Sequence, residues 1–462
     1  MKKVNLLLAA VVAASVSAPA LAEYTPNVQM YGYFRSGLAS KHTPKDDAWV
    51  HRFGRLGYEQ DTYAEIGLGS TVAKVDDTEW NVNSRIAYKS TLNRDWQTAD
   101  NENDEEHANF ALREFNLSVK GLLDFDKDAN IWVGKRYYRK DLHLTDMFYW
   151  DISGMGAGIE NLSAGSGKLS LAWFRRDDGR QDYVFDNSVS GKLEPTSATA
   201  SAHIFDVQYS MPLWDGANVA FCDTYIQKQS DDNHKISAAH GYGNSNIFAL
   251  EFTQGFSSGW NKSVIQWTHG STANWGAFGS PVWLDRSGAS DSANRYVFIN
   301  TGDVKLASNF GINHVLYATY SSGYDTNLGS KDSDKAFQLV VRPYLALTKM
   351  TRLYVEAGFS TESTKNKKGD KFETTNGQNQ KYTVAYAITP DASNFWSRPE
   401  VRIYATYVHS NENGLNLAAY AGDTEDNTIA DYDDNGVFKG YKKGDYYKNH
   451  NVIFGVQAEA WW

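Results

Sequence analysis

The sequence predicts an all-β chain, closed into one antiparallel transmembrane barrel, and three observations carry that expectation. About eighteen windows alternate apolar with polar or aromatic residues, the period of a strand with two unlike faces. Beyond the N-terminus no apolar run approaches roughly 18 residues, which excludes membrane-spanning helices. Aromatic residues make up 14% of the chain against nine prolines, a composition suited to many strands with aromatic girdles. The negative mean hydropathy is compatible with this, because half of each strand then faces a wet lumen. Closure follows because an open sheet edge has no hydrogen-bond partner in lipid.

Taken in order, the chain opens with Lys2 and Lys3, an apolar run from Leu6 to Val16, and the small-x-small triplet Ala20-Leu21-Ala22. That is the form of a cleaved secretory signal. The run is too short, and too broken by Ser15, Ser17 and Pro19, for a transmembrane helix. Residues 1–22 are therefore expected to be removed and residues 23–462 to form a single barrel domain.

The first strand alternates most cleanly: Val28, Met30, Gly32, Phe34 and Leu38 on one face, Gln29, Tyr31, Tyr33 and Arg35 on the other. A soluble sandwich alternates likewise, so parity alone does not separate the two. Thr62, Ala64, Ile66 and Leu68 then oppose Asp61, Tyr63 and Glu65. Asn93 to Gln97 and the acidic run Asp100 to Glu106 read as a long solvated loop, and Glu114 to Lys120 alternates again.

Next comes Gly134 to Asp151, where Arg136, Arg139, Lys140, Asp141, His143, Asp146 and Asp151 interleave with Tyr137, Tyr138, Phe148, Tyr149 and Trp150. Fixed charges beside aromatic planes suit a sugar, whose hydroxyls take hydrogen bonds while its C–H faces lie on rings. The plainer reading is a charged loop edge. The alternate glycines Gly154, Gly156 and Gly158 are expected to let the backbone turn sharply and pack closely.

Beyond them, windows recur at Lys168–Arg175, His203–Met211, Ala217–Gln227, Asn246–Gln254, Lys262–His269, Arg295–Leu306, Asn313–Tyr320, Ala336–Pro343, Arg352–Phe359, Lys381–Thr389, Glu400–His409 and Val452–Trp462. Ser363–Gln380 and Asp423–Asn435 read as polar loops. In the last window Val452, Phe454, Val456, Ala458, Ala460 and Trp462 share one face, and Trp461 falls on the other. No linker, domain boundary or fixed-period repeat is present. The lone Cys222 cannot form an internal disulfide and reads as a small strand residue.

The run Gly134–Asn161, together with Tyr31-Gly32-Tyr33-Phe34-Arg35-Ser36-Gly37, Asp61-Thr62-Tyr63-Ala64-Glu65, Trp396-Ser397-Arg398-Pro399 and the terminal Trp461-Trp462, resembles the maltoporin family. These are trimeric sugar-specific porins of Gram-negative outer membranes. The resemblance implies eighteen strands and a third loop folded inward as a constriction. It also implies maltose and malto-oligosaccharides as cargo, no cofactor, and surface loops that serve some relatives as phage receptors.

Carried over by position, the family's row of lumen aromatics, its sugar slide, falls on Tyr33, Tyr63, Trp96, Trp260, Trp396 and Trp461, with Trp96 reaching in from a neighbouring subunit. Its polar track falls on Arg35, Arg55, Glu65, Arg113, Arg139, Asp141, His143 and Asp146, with Asp151 nearby. A membrane-interface belt also collects Tyr and Trp, but the parity of Tyr33, Tyr63 and Trp461 is that of the lumen. For the charged residues the plainer reading is electrostatic bracing of a loop, and for His143 a hydrogen-bonded structural histidine. Maltose-type members carry tyrosine at the constriction tip, where this chain has Phe148, as sucrose-type relatives do. That departure puts the substrate range, and not the mechanism, in question.

Other classes fit less well. The net charge of −10 argues against nucleic acid. Asp431 to Gly436 begins like a calcium loop, but the twelfth position is Lys442 where a bidentate glutamate is required. A secreted glycosidase would need one protonated carboxyl. Asp141 and Asp146 lie among Arg136, Arg139 and Lys140, which are expected to hold both ionised. An adhesive barrel would leave aromatic rings in the lumen without a purpose.

Overall fold

The computed structural model describes residues 27–40, 53–90, 109–178, 182–185, 193–196, 200–229, 244–274, 292–324, 331–411, 428–432, 438–443 and 450–462. Among the described residues, eighteen strands form one sheet whose neighbours pair antiparallel. The first strand, Val28–Ala39, pairs with Thr62–Val75 on one side and with the last strand, His450–Trp461, on the other, so the sheet closes on itself. Most connections alternate between short turns, such as Asp76-Asp77 and Asp215-Gly216, and long segments. In barrels of this kind the short turns face the periplasm and the long loops the exterior.

The alternation is realised in space. Met30, Leu38, Ile66, Val133, Ile265, Phe298, Val384, Ile403 and Phe454 are exposed on the outer wall. Their strand neighbours Arg35, Glu65, Gln266, Lys381, Arg402 and Gln457 are buried on the inner one. So much contiguous exposed apolar surface requires a nonpolar surrounding, here the bilayer.

Two segments fold inward and fill part of the lumen. The first is Phe53–Asp61: Phe53 and Leu56 are fully buried, the Leu56 carbonyl accepts from Lys381 Nζ (2.5 Å) and Thr383 Oγ1 (3.0 Å), and Thr406 donates to the Gly57 carbonyl (3.0 Å). Glycines make this approach possible. A Cβ on Gly57, at φ 70°, would lie 2.2 Å from Thr406 Oγ1, and one on Gly358 would lie 1.7 Å from the Phe53 carbonyl. The second is a hairpin of two short strands, Arg139–Leu142 and Met147–Asp151, turned at Asp146 with φ 49°. Its Leu142, Leu144, Met147, Tyr149, Trp150 and Ile152 are buried, and the Leu144 carbonyl accepts from the Arg55 backbone N–H (3.0 Å), which ties the two inserts together.

Three expectations need correction. Ser363–Gln380 is not a loop: Thr351–Lys368 and Lys371–Ile388 are strands of 18 residues each, joined at Gly369-Asp370. At about 3.3 Å per residue they outrun an apolar band ~25 Å tall, so their far ends are polar on both faces except at Phe372. Gly154–Gly158 does not turn sharply but begins the strand Gly154–Ala164. Its glycines serve close packing, since a Cβ on Gly158 would lie 2.9 Å from Trp132 Nε1. With Gly154–Ala164, three strands are additional to the windows named above, the others being Thr78–Ser90 and Asn130–Arg136.

Candidate functional site

Strand register assembles the lumen surface from single rungs. On the inner face Trp461, Tyr33 and Glu65 lie directly opposite one another, as do Glu459, Arg35 and Tyr63 on the next inward rung. Tyr33 and Tyr63 come within 6.0 Å, centroid to centroid. Trp396 and Trp461 stand 6.5 Å apart, both against the His143 ring (5.0 and 5.9 Å). Trp260 shares the inward parity of Lys262, Val264 and Gln266 and pairs in register with Asp303, which accepts from Trp396 Nε1 (3.1 Å). Five of the six aromatic positions therefore face the lumen, running from Tyr63 near the long-loop end toward Trp260, Trp396 and Trp461 at the short-turn end. Trp96 lies outside the described residues.

Beside Tyr63 stands a charged group organised by the hairpin. Arg139 lies between two rings, 3.7 Å from the Tyr137 centroid and 4.4 Å from that of Phe148. Tyr137 accepts from Arg113 Nε (2.7 Å) and donates to Glu65 (2.6 Å), which also accepts from Tyr63 (2.5 Å) and Arg85 (2.8 Å). Arg113 points inward beside the equally inward Glu114 because the ladder skips one residue: Arg85 pairs with Glu114 and Ile86 with Leu112. Such a bulge puts two consecutive side chains on one face. At the hairpin tip Asp146 accepts from Arg35 (3.0 Å) and remains one-third exposed. Asp141 is exposed to the lumen and has no hydrogen bond or ion pair among the described residues.

Residues 28–462 match the family model described as LamB porin. The chain is a LamB porin. It is 32% identical over 460 residues to Maltoporin 1 of Klebsiella pneumoniae, covering 99% of this chain and 97% of that one. It is 34% identical over 448 residues to Maltoporin 1 of Aeromonas salmonicida, covering 94% of each. Among solved structures, OccAB1 of Acinetobacter baumannii aligns over 94% of this chain and 96% of its own, at 10% identity and a TM-score of 0.47. The family makes this protein a β-barrel channel of the Gram-negative outer membrane.

Within this LamB porin the residues of the polar track divide. Arg35, Arg55 and Glu65 are nearly inaccessible, at 5%, 4% and 3% exposure. Arg35 is locked by Asp61 (2.8 Å) and Glu59 (2.9 Å), and Arg55 by Glu59 (2.8 Å), Tyr33 (2.7 Å) and Glu459 (3.1 Å). They brace the wall, leaving Arg113, Arg139, Asp141, Asp146 and Phe148 at the water. Asp151 accepts from the Ser153 backbone N–H (3.0 Å) and shapes the hairpin's exit. His143 Nε2 is buried without a hydrogen-bond partner among the described residues, and its ring packs against Phe395, Trp396 and Trp461. Burial, and then the Arg55 charge, hold its pKa well below the ordinary value, so the ring is neutral.

The cations near the hairpin aspartates also point elsewhere. Lys140 reaches Glu251 (2.6 Å) and Cys222 Sγ (3.2 Å), and Arg136 reaches Glu160 (3.0 Å) over the Trp132 ring. The sequence reading missed Glu59, Asp61, Tyr137 and Glu459 as partners. Their one signal was position: each lies on an inward parity or in an insert whose path becomes evident only once the barrel closes. In the calcium-like stretch, Asp433 to Gly436 lie outside the described residues.

Proposed function

We propose that the chain passes maltose and malto-oligosaccharides across the outer membrane by facilitated diffusion. The observation that carries this reading is the lumen row of Tyr63, Tyr33, Trp461, Trp396 and Trp260, flanked near its upper end by the accessible Arg139, Asp141 and Asp146. Apolar rings in a wet channel gain by covering the C–H face of a sugar, while neighbouring charges exchange water for its hydroxyls. Each station is weak, and a row of weak stations lets a chain advance by trading one for the next. The relatives named maltoporin support this cargo.

In this reading residues 1–22 are a removed export signal. The working unit is a homotrimer in which Trp96 enters the neighbouring channel, and the surface loops are open to phages. No covalent step is involved. Asp146 is ion-paired with Arg35 (3.0 Å), and passage of an intact sugar needs no general acid. A broader oligosaccharide range, sucrose included, is the second reading, favoured by Phe148 at the tip. Purified protein in planar bilayers and liposomes tests both. Maltotriose should block the ion current in a saturable way, and swelling rates should rank maltose, maltotriose, sucrose and raffinose. An ion current indifferent to every sugar would overturn the proposal.

A further inference from the structure

A pocket of about 460 Å³ opens on the inner wall away from the slide. It lies at the short-turn mouth, bounded by Asn27 at the start of the first strand, Thr71 just before the Asp76-Asp77 turn, and Asp128 in the connection ahead of Asn130. Most of its strand residues have inward parity, Ser70 excepted. Gln29 and Tyr31 continue the face of Tyr33 and Arg35, Asn81 and Asn83 that of Arg85, and Ser118 that of Glu114. Tyr31 forms its upper limit. Its ring lies so close over Gly67 that a Cβ there would meet it at 2.2 Å, and the Arg85 guanidinium stands 5.0 Å from its centroid.

The chemistry of this pocket differs from that of the constriction above it. Its interior is made of amides and hydroxyls, and its charges, Lys120 and Asp128, are exposed at the rim, with Asp128 paired to Lys168 (3.2 Å). Gln29, Asn83 and Asn130 make no side-chain hydrogen bond to protein among the described residues, while Asn81 accepts from Thr71 (2.7 Å). An amide offers donors and an acceptor together, so several of them meet hydroxyls of any orientation without selecting a charge. The volume falls in the range of small-molecule sites, ~300–1,000 Å³.

We infer that this amide pocket is a second carbohydrate subsite, off the aromatic row, that receives the end of a neutral oligosaccharide at the periplasmic mouth. It rests on the sugar-channel reading and adds a station where hydrogen bonds, not ring stacking, hold the sugar. Its position at one mouth makes it a kinetic device: sugar entering from the short-turn side meets it first, and sugar entering from the long-loop side meets it last.

The test is current-noise analysis of oriented channels in planar bilayers, with maltotriose added to one side at a time. Asn83→Leu combined with Asn130→Leu should lower the association rate from the short-turn side about three- to tenfold, the effect of losing one or two neutral hydrogen bonds. The rate from the long-loop side is the internal reference. Asn83→Gln with Asn130→Gln, which keeps the amides, should recover most of the loss. Should the double leucine variant not insert, Gln29→Leu reads the same asymmetry. Rates equal to wild type on both sides, or lowered equally on both, would overturn the subsite while leaving the channel intact. Absence of any block in the wild type would instead overturn the sugar-channel reading on which it rests.

Discussion

Two regions of the lumen carry dense charge and use it in opposite ways. Along the wall from Lys331–Ala346 to Glu400–Ser410 and the last strand, Glu356 binds Arg342 (2.7 Å) and Lys381 (2.5 Å). Glu400 there binds Arg402 (2.8 Å), Tyr354 (2.8 Å) and Arg352, and Glu459 binds Arg398 (2.8 Å) and Arg402 (3.2 Å). All of these side chains are 0–2% exposed, sealed beneath Phe53–Asp61 or packed against one another. At the hairpin, Arg139, Asp141 and Asp146 face water, and Arg139 and Asp141 make no side-chain hydrogen bond among the described residues. A sealed pair fixes shape, because breaking it strands a buried charge; an open one has bonds left for a passing hydroxyl. Charge count alone does not tell them apart. Completeness of pairing does.

The comparison breaks most visibly at Glu356. Glu356→Ala leaves Arg342 and Lys381 without their counter-ion and the Leu56 N–H without its acceptor (3.1 Å). The expected cost is about 3–5 kcal/mol of barrel stability, read by urea unfolding of the refolded protein. Asp141→Asn, in the open region, should change stability by less than about 1 kcal/mol. Equal costs at the two sites would erase the distinction drawn here.

Arg139→Ala acts on the open region alone. The guanidinium is 21% exposed, clamped between Tyr137 and Phe148, with its nearest carboxylate, Glu65, at 3.9 Å. Its donors are free for sugar, so maltotriose binding should weaken by about 1–3 kcal/mol while unfolding changes little. Removing that cation beside Asp141 and Asp146 should also raise cation selectivity, read as a shift in reversal potential across a salt gradient. An unchanged sugar titration would move Arg139 into the bracing class.

Much of this architecture was legible in the sequence because lipid enforces strict alternation. The faces of Val28–Ala39 and His450–Trp461, and hence the inward aim of Tyr33 and Trp461, followed from parity alone. Parity failed where the backbone departs from a period of two. The bulge at Arg113 turns two consecutive residues inward, Phe53–Asp61 is not a strand, and the distal Thr351–Ile388 hairpin has no lipid to alternate against. The division of Arg35 and Arg55 from Arg139 was hidden for another reason. Their partners Glu59 and Asp61 arrive on an insert whose placement requires the closed barrel.

His143 separates the regions by pH. Its depressed pKa means that the unfolded chain takes up a proton that the native ring refuses. Stability is therefore full above the ordinary histidine value of ~6.5 and falls as pH drops below it, by about 1.4 kcal/mol per unit from this group. His143→Gln should flatten the urea midpoint between about pH 6.5 and 5. An identical slope in the variant would show that the ring is protonated in the native channel.

The smallest expected effect, at Phe148, sharpens the open side. Its ring is half-buried, pairs in register with Asp141, and has the Arg139 guanidinium over one face. A phenyl group offers an apolar surface but no hydrogen bond, so the tip grips a linear glucan less than a phenol would. Phe148→Tyr keeps the cation–ring contact and adds one neutral donor-acceptor, typically about 0.5–1.5 kcal/mol, or roughly two- to tenfold in affinity. Maltotriose block should tighten by that factor, while sucrose passes more slowly because the hydroxyl also narrows the tip. The gain stays modest because Tyr63, Tyr33, Trp461, Trp396 and Trp260 still line the path on either side. Current block by maltotriose, paired with liposome swelling in sucrose, measures both halves. Equal block and equal swelling would mean that selectivity is set by Arg139 and Asp146, whose bonds to a sugar do not depend on the ring between them.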